Sequence, residues 1–167
     1  MPKLLLLRHA SAERARPRQS DHERELTREG RRQAKAIGKK IAELGDAIDL
    51  VLSSDSARTK QTWDGVAPEL TSRPEVRFLP LLFETHDYLP IIKAEGGKAQ
   101  SILLIGHNPT IQETAIELAS NLSGREGNRL RSGFPKGAVA VFSFDGDWAS
   151  LRPGQMRLEA FVEADEK

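Results

Sequence analysis

Apolar residues gather along this chain in short runs bounded by turn-forming residues. Such runs occupy residues 3–7, 48–52, 76–79, 101–105 and 138–144, and a further edge strand is expected near 156–162. Several are continuously apolar, as in Leu4-Leu5-Leu6-Leu7, the pattern of parallel strands covered on both faces. Between the runs the period becomes helical. Over 27–44, Ala34, Ile37, Gly38, Ile41 and Leu44 recur at spacings of three and four, with Thr27 placed as N-cap. Ser54-Asp55-Ser56 offers caps for a second helix through Thr62 and Val66 that ends near Pro68. Asn108, followed by Pro109, is the expected cap of a third helix whose Ile111, Ala115, Leu118, Ala119 and Leu122 share a face. Strand and helix alternate, which predicts a three-layer α/β/α sandwich around a mainly parallel sheet.

Two stretches lack these periods. Residues 11–25 are charged and poor in large apolar side chains, and 123–136 are rich in Gly, Arg and Asn; both are expected to be loops. Residues 163–167 are expected to fray. A length of 167 residues suits a single domain over 1–167 with one substantial core.

Charge and composition narrow the function classes. Lys plus Arg number 25 against 24 Asp plus Glu, so no global field draws the chain to nucleic acid or to an acidic membrane. Any anion must be recognised locally. The absence of cysteine excludes disulfides, thiolate zinc sites and a cysteine nucleophile. No stretch approaches the ~20 apolar residues of a membrane span, and the leucine run near the start is shorter than a secretory signal, so a cytoplasmic protein is expected.

The candidate chemistry lies at strand ends. Arg8-His9 follows the first apolar run, Arg58 lies in the first turn of the helix after the second, and Gly106-His107 follows the fourth. Carboxyl ends of strands are where open α/β sheets bind ligands. Two guanidiniums, two imidazoles and two helix N-termini at one sheet edge suit a phosphoryl group, because Arg matches phosphate oxygens and helix N-termini offer unpaired amides. A neutral histidine can attack phosphorus and form a phosphoimidazole.

These residues carry a family resemblance. Arg8-His9-Ala10, then Ser53-Ser54-Asp55-Ser56-Ala57-Arg58-Thr59-Lys60-Gln61-Thr62, then Gly106-His107 resemble the ordered signature of the histidine phosphatase superfamily, and Leu26-Thr27-Arg28-Glu29-Gly30 resembles its Leu-Thr-x-x-Gly helix start. The resemblance implies a phosphoglycerate mutase-like fold and a phosphatase. In it, His9 is the phosphorylated nucleophile, Arg8 and Arg58 bind the phosphoryl oxygens, and His107 donates to them. It implies no metal and no cofactor. His22 and His86 lack the paired spacing of a zinc site and are expected to be incidental.

Departures from the pattern bear on substrate. Ala10 stands where glycine is usual, similar to the Arg-His-Ala form of small phosphohistidine phosphatases of the SixA type, and Ala12 gives no match to the substrate-holding Thr or Ser of the mutase branch. The expected partner is a phosphohistidine-bearing protein, with a small phosphate ester as the alternative and an inactive phosphate- or phosphoprotein-binding module as a second alternative. Glu84 is the candidate general acid, its other reading being a glutamate at a helix start. Arg125, Arg129, Arg131 and Lys136 are read either as a contact for a protein partner or as a solvated loop.

Overall fold

The computed structural model describes residues 1–164. Strands β1 (Lys3–Arg8), β2 (Leu50–Ser54), β3 (Glu75–Leu79), β4 (Ser101–Gly106), β5 (Val139–Ser143) and β6 (Arg157–Val162) form one sheet in the order β3-β2-β4-β1-β5-β6. The first four in that order are mutually parallel, and β5 and β6 close the other edge antiparallel. The continuously apolar β1 and β4 lie side by side in the middle, as burial on both faces requires.

Successive strand residues face opposite sides, so each strand feeds two cores. Leu4, Leu6, Leu52, Ile102, Leu104 and Phe142 enter one, and Leu5, Leu7, Val51, Leu103, Ile105 and Val141 the other. Helices α4 (Leu89–Glu95), α5 (Thr110–Leu118) and α6 (Arg125–Ser132) contribute Ile92, Ile111, Ala115, Leu118 and Leu130 to the first core. Helices α1 (Arg28–Glu43) and α2 (Ala57–Val66) contribute Ile37, Ile41 and Val66 to the second. The result is the expected three-layer sandwich with a mainly parallel sheet.

The caps of the first two helices are as read: Thr27 Oγ1 accepts from Gly30 N at 2.9 Å, and Ser56 Oγ accepts from Thr59 N at 3.3 Å. Gly30 is required by a close approach, since a Cβ there would collide with the carbonyl oxygen of Ser11.

Several expectations are corrected. The third helix begins at Thr110 with Pro109, not Asn108, in the cap position, and it ends at Leu118 because Ala119 leaves it to bridge Met156. Residues 123–136 are not all loop: α6 occupies most of them, with Gly127 and Leu130 as its buried positions and the exposed Arg125 and Arg131 turned outward. Two inward residues in eight are too few to show a period. The seven-residue α4 and the single turn α3 (Leu81–Glu84) escaped because each is too short to show a period. Of the segment expected to fray, Glu163 and Ala164 are held: Lys40 Nζ donates to the Glu163 carbonyl at 2.6 Å, Arg129 Nη2 meets its carboxylate at 2.9 Å, and Ala164 is buried. The rest, 165–167, lies outside the described residues. No helix among the described residues is long and apolar enough to cross a membrane.

Candidate active site

Register assembles the site. Arg8 at the end of β1 pairs with Gly106 at the end of β4, and Ser53 of β2 pairs with Ile105, so Arg8, Gly106 and Ser54 end in one row at the carboxyl edge, with His9 and His107 one position beyond it. Backbone bonds lock the row: His9 N donates to Gly106 O at 3.1 Å, and Gly137 N to the carbonyls of Arg8 and His9 at 3.1 and 3.2 Å. Arg8 Nη1 donates to Phe134 O at 2.8 Å.

His9 is 6% exposed and its ring is oriented at both nitrogens. Nδ1 lies 2.7 Å from the Ala10 carbonyl, an acceptor only, so the ring proton sits on Nδ1 and Nε2 keeps its lone pair. Arg58 Nε donates to that Nε2 at 3.3 Å. Burial first, then the positive surroundings of His107, Arg58 and Arg8, push the His9 pKa down to about 3 despite the opposing bond to Ala10. The ring is therefore neutral near pH 7. His107 is pushed down to about 4, chiefly by burial and then by Arg58, and the two rings stand 5.3 Å apart.

Hydroxyls of the segment 53–62 tie it to the neighbouring strand ends. Ser54 Oγ meets His107 Nε2 at 2.8 Å, Thr59 Oγ1 donates to the Ser54 carbonyl at 2.6 Å, and Thr62 Oγ1 accepts from Ala10 N at 3.1 Å while donating to Arg58 O at 2.7 Å. Thus α2 is bound to the ends of β1 and β2 by its own hydroxyls. Gly106 also has a spatial reason: a Cβ there would stand 2.6 Å from Tyr88 Oη, and that hydroxyl accepts from His107 N at 2.8 Å.

The structure thus brings Arg8, His9, Arg58 and His107 together. Glu84 is neither hydrogen-bonded nor ion-paired to any of them. Glu84 is exposed and makes no hydrogen bond or ion pair among the described residues, whereas its neighbour Phe83 turns inward, 5.4 Å edge-on to His107 and 5.8 Å from Arg58 Cζ. His22, expected to be incidental, stands at the rim: its ring meets Phe83 at 4.8 Å and its Nε2 meets Asp55 Oδ1 at 2.8 Å. Asp21 was also missed, and it engages Arg58 through both its backbone and its carboxylate. A readable trace of this turn existed in Ser20-x-x-Glu23, a capping box that shapes residues 21–23 into a single 3₁₀ turn. His86 is exposed. Among the described residues no group of three or more His, Asp or Glu is arranged to hold a metal ion.

The family model for the histidine phosphatase superfamily (branch 1) matches residues 4–86. A solved structure of a protein assigned as the phosphohistidine phosphatase SixA of Nakamurella multipartitia is 32% identical, with a TM-score of 0.84 over 97% of this chain and 95% of that one. The chain belongs to the histidine phosphatase superfamily. An uncharacterized protein of Mycobacterium tuberculosis (strain ATCC 25618 / H37Rv) is 31% identical over 145 residues, covering 85% of this chain and 90% of the relative. The phosphoglycerate mutase of Plasmodium falciparum shares the fold at 18% identity, with a TM-score of 0.63 over 99% of this chain and 93% of that one. Membership of the superfamily and the likeness to SixA support a phosphatase.

Proposed function

We propose that this protein removes the phosphoryl group from a phosphohistidine on another protein, with His9 as covalent acceptor. The observation that carries the reading is a neutral His9 whose ring proton sits on Nδ1 and whose Nε2 faces Arg58, with no carboxylate hydrogen-bonded to His9 or His107 among the described residues. Asp21 is committed to Arg24 and Arg58, and Glu84 is exposed.

In the first step the Nε2 pair of His9 forms a bond to phosphorus as the P–N bond of the substrate breaks. The departing ring, protonated on its other nitrogen, leaves as neutral imidazole and needs no positioned acid. Arg8 and Arg58 hold the phosphoryl oxygens, and His107 donates to them. In the second step water attacks phosphorus, the N–P bond breaks, inorganic phosphate leaves and the His9 lone pair is restored. Arg8 Nε and His107 Nδ1, two buried nitrogens with no partner among the described residues, fit this reading, because unsatisfied buried donors are rare outside functional sites.

A second reading, hydrolysis of a small phosphate ester, is favoured by one observation. His22, paired with Asp55 across Phe83 from His107, offers a proton to an alkoxide.

The test uses protein phosphohistidine and small phosphate esters carrying labelled phosphate. The expected outcome is loss of label from the phosphohistidine protein and an acid-labile phosphoenzyme in wild type but not in His9→Ala. Label transfer from esters alone selects the second reading. No transfer from any donor overturns both.

A further inference from the structure

Arg58 is gripped from behind as well as aimed forward. Its Nη1 donates to the Asp21 carbonyl at 2.7 Å and its Nη2 to Asp21 Oδ2 at 3.1 Å, while its Nε donates to His9 Nε2 at 3.3 Å. A guanidinium has two forks, one at its end between the Nη atoms and one along its side between Nε and Nη2. Asp21 takes the end fork. The side fork, with Nε–H and the second hydrogen of Nη2, is left on the side of His9.

A carboxylate beside a phosphate pocket is electrostatically unfavourable for the ligand and calls for a reason. Here the charge is shared: Arg24 Nη1 meets Asp21 Oδ1 at 2.8 Å, and Arg24 Nε is anchored on the Glu13 carbonyl at 2.7 Å. One carboxylate thus lies between two arginines, one half-buried at the end of its own turn and one buried against the nucleophile. The turn that carries it is also pinned, by the reciprocal Ser20–Glu23 bonds and by His22 on Asp55. Asp21 itself is largely exposed, so nothing in the core depends on it.

We propose that Asp21 is a positioning residue for the dephosphorylation, holding the end fork of Arg58 so that its side fork is presented, preformed, to the phosphoryl group on His9. The proposal rests on the reading of His9 and Arg58 given above. Its core is a division of labour within one guanidinium, in which two donors are spent on Asp21 and the side fork is kept for substrate. Without Asp21 the guanidinium is free to swivel about its last bonds, and each turnover must reorder it.

The experiment is a double-mutant cycle on phosphohistidine dephosphorylation, with inorganic phosphate binding measured in parallel. Asp21→Ala should slow turnover by about ten- to a hundredfold, the loss typical of a hydrogen bond to a charged group. Asp21→Asn, which retains one acceptor, should fall between Asp21→Ala and wild type. Because Asp21 acts only through Arg58, Arg58→Ala/Asp21→Ala should be no slower than Arg58→Ala alone. An Asp21→Ala enzyme as fast as wild type overturns the proposal. So do effects of the two alanine substitutions that multiply, or two Asp21 variants that both bind phosphate more tightly, as loss of a repelling charge alone would predict. If wild type turns over no phosphohistidine, it is the functional reading that fails, and phosphate binding decides the clamp. Binding about tenfold weaker in Asp21→Ala then supports it, and equal or tighter binding overturns it.

Discussion

The floor of the pocket and its wall are held by different physics. The floor, Arg8, His9 and His107, issues from β1 and β4, whose ladder is buried among leucines and isoleucines on both faces. The wall includes Asp21 and His22, on the strap 11–25, which buries no side chain and reaches the site through ion pairs, hydrogen bonds and one ring edge. Register and burial set the floor, and they fail together or not at all. Apart from the clamp on the buried Arg58, the wall rests on partly exposed charges, which salt screens and which are individually worth about 0–1 kcal/mol. Precision at the nucleophile is therefore a property of the core, while precision at Arg58 is divided between the core and a surface strap.

The largest expected effect breaks the chemistry of the floor without touching its frame. His9→Ala should lower turnover at least about a thousandfold, as loss of a covalent nucleophile does, with the urea midpoint little changed. Substantial residual turnover through an acid-labile intermediate would move the nucleophile elsewhere.

Protonation comes next, because it acts on the floor alone. The folded protein holds His9 and His107 at about 3 and about 4, whereas in the unfolded chain they titrate near the ordinary value of 6.5. Their folded values are depressed, so the stability they confer is full above pH 6.5 and is lost as pH falls toward 4 and 3. Within that window the slope should be about 1.4 kcal/mol per pH unit for each histidine. Urea unfolding at pH 7 and pH 5 measures it. A His9→Gln/His107→Gln protein should lose most of the dependence, and an unchanged slope would trace it to other groups.

Gly106→Ala tests the packing behind the floor. The added carbon would press on Tyr88, which is fully buried and cannot withdraw, so a loss of about 1–3 kcal/mol is expected. A fall in activity should accompany it, since the same phenol holds the His107 amide. Unaltered stability would show that the strand end has more freedom than its packing suggests.

The smallest effect belongs to the wall. Ser20→Ala removes the capping box of the 3₁₀ turn, worth about 1 kcal/mol locally, and should speed amide exchange across 21–24 several-fold while leaving the global midpoint alone. Were those amides to exchange only by global unfolding, floor and wall would be one cooperative unit and the contrast drawn above would collapse.

The same contrast explains what could be read in advance. Arg8, His9, Arg58 and His107 were legible because apolar runs reveal where strands end, and strand ends are where this architecture places its chemistry. Phe83 was missed by a single position, because a one-turn helix gives no period from which to tell its inward residue from Glu84. Asp21 and Tyr88 meet their partners 37 and 19 residues away through side chains, and no local pattern encodes such contacts. Helix α6 was hidden because most of its surface is solvated.

The position of β1 has a consequence for how the chain is born. This strand is synthesised before the other five of its sheet, yet its ladder pairs Lys3 with Ser101 on one side and with Ser143 on the other. At typical elongation rates of about 5–20 residues per second, four consecutive leucines wait for seconds outside the ribosome before either neighbour exists. The residues that make the centre of the finished sheet are thus its most exposed adhesive surface during synthesis, and the pocket can close only when the last third of the chain arrives.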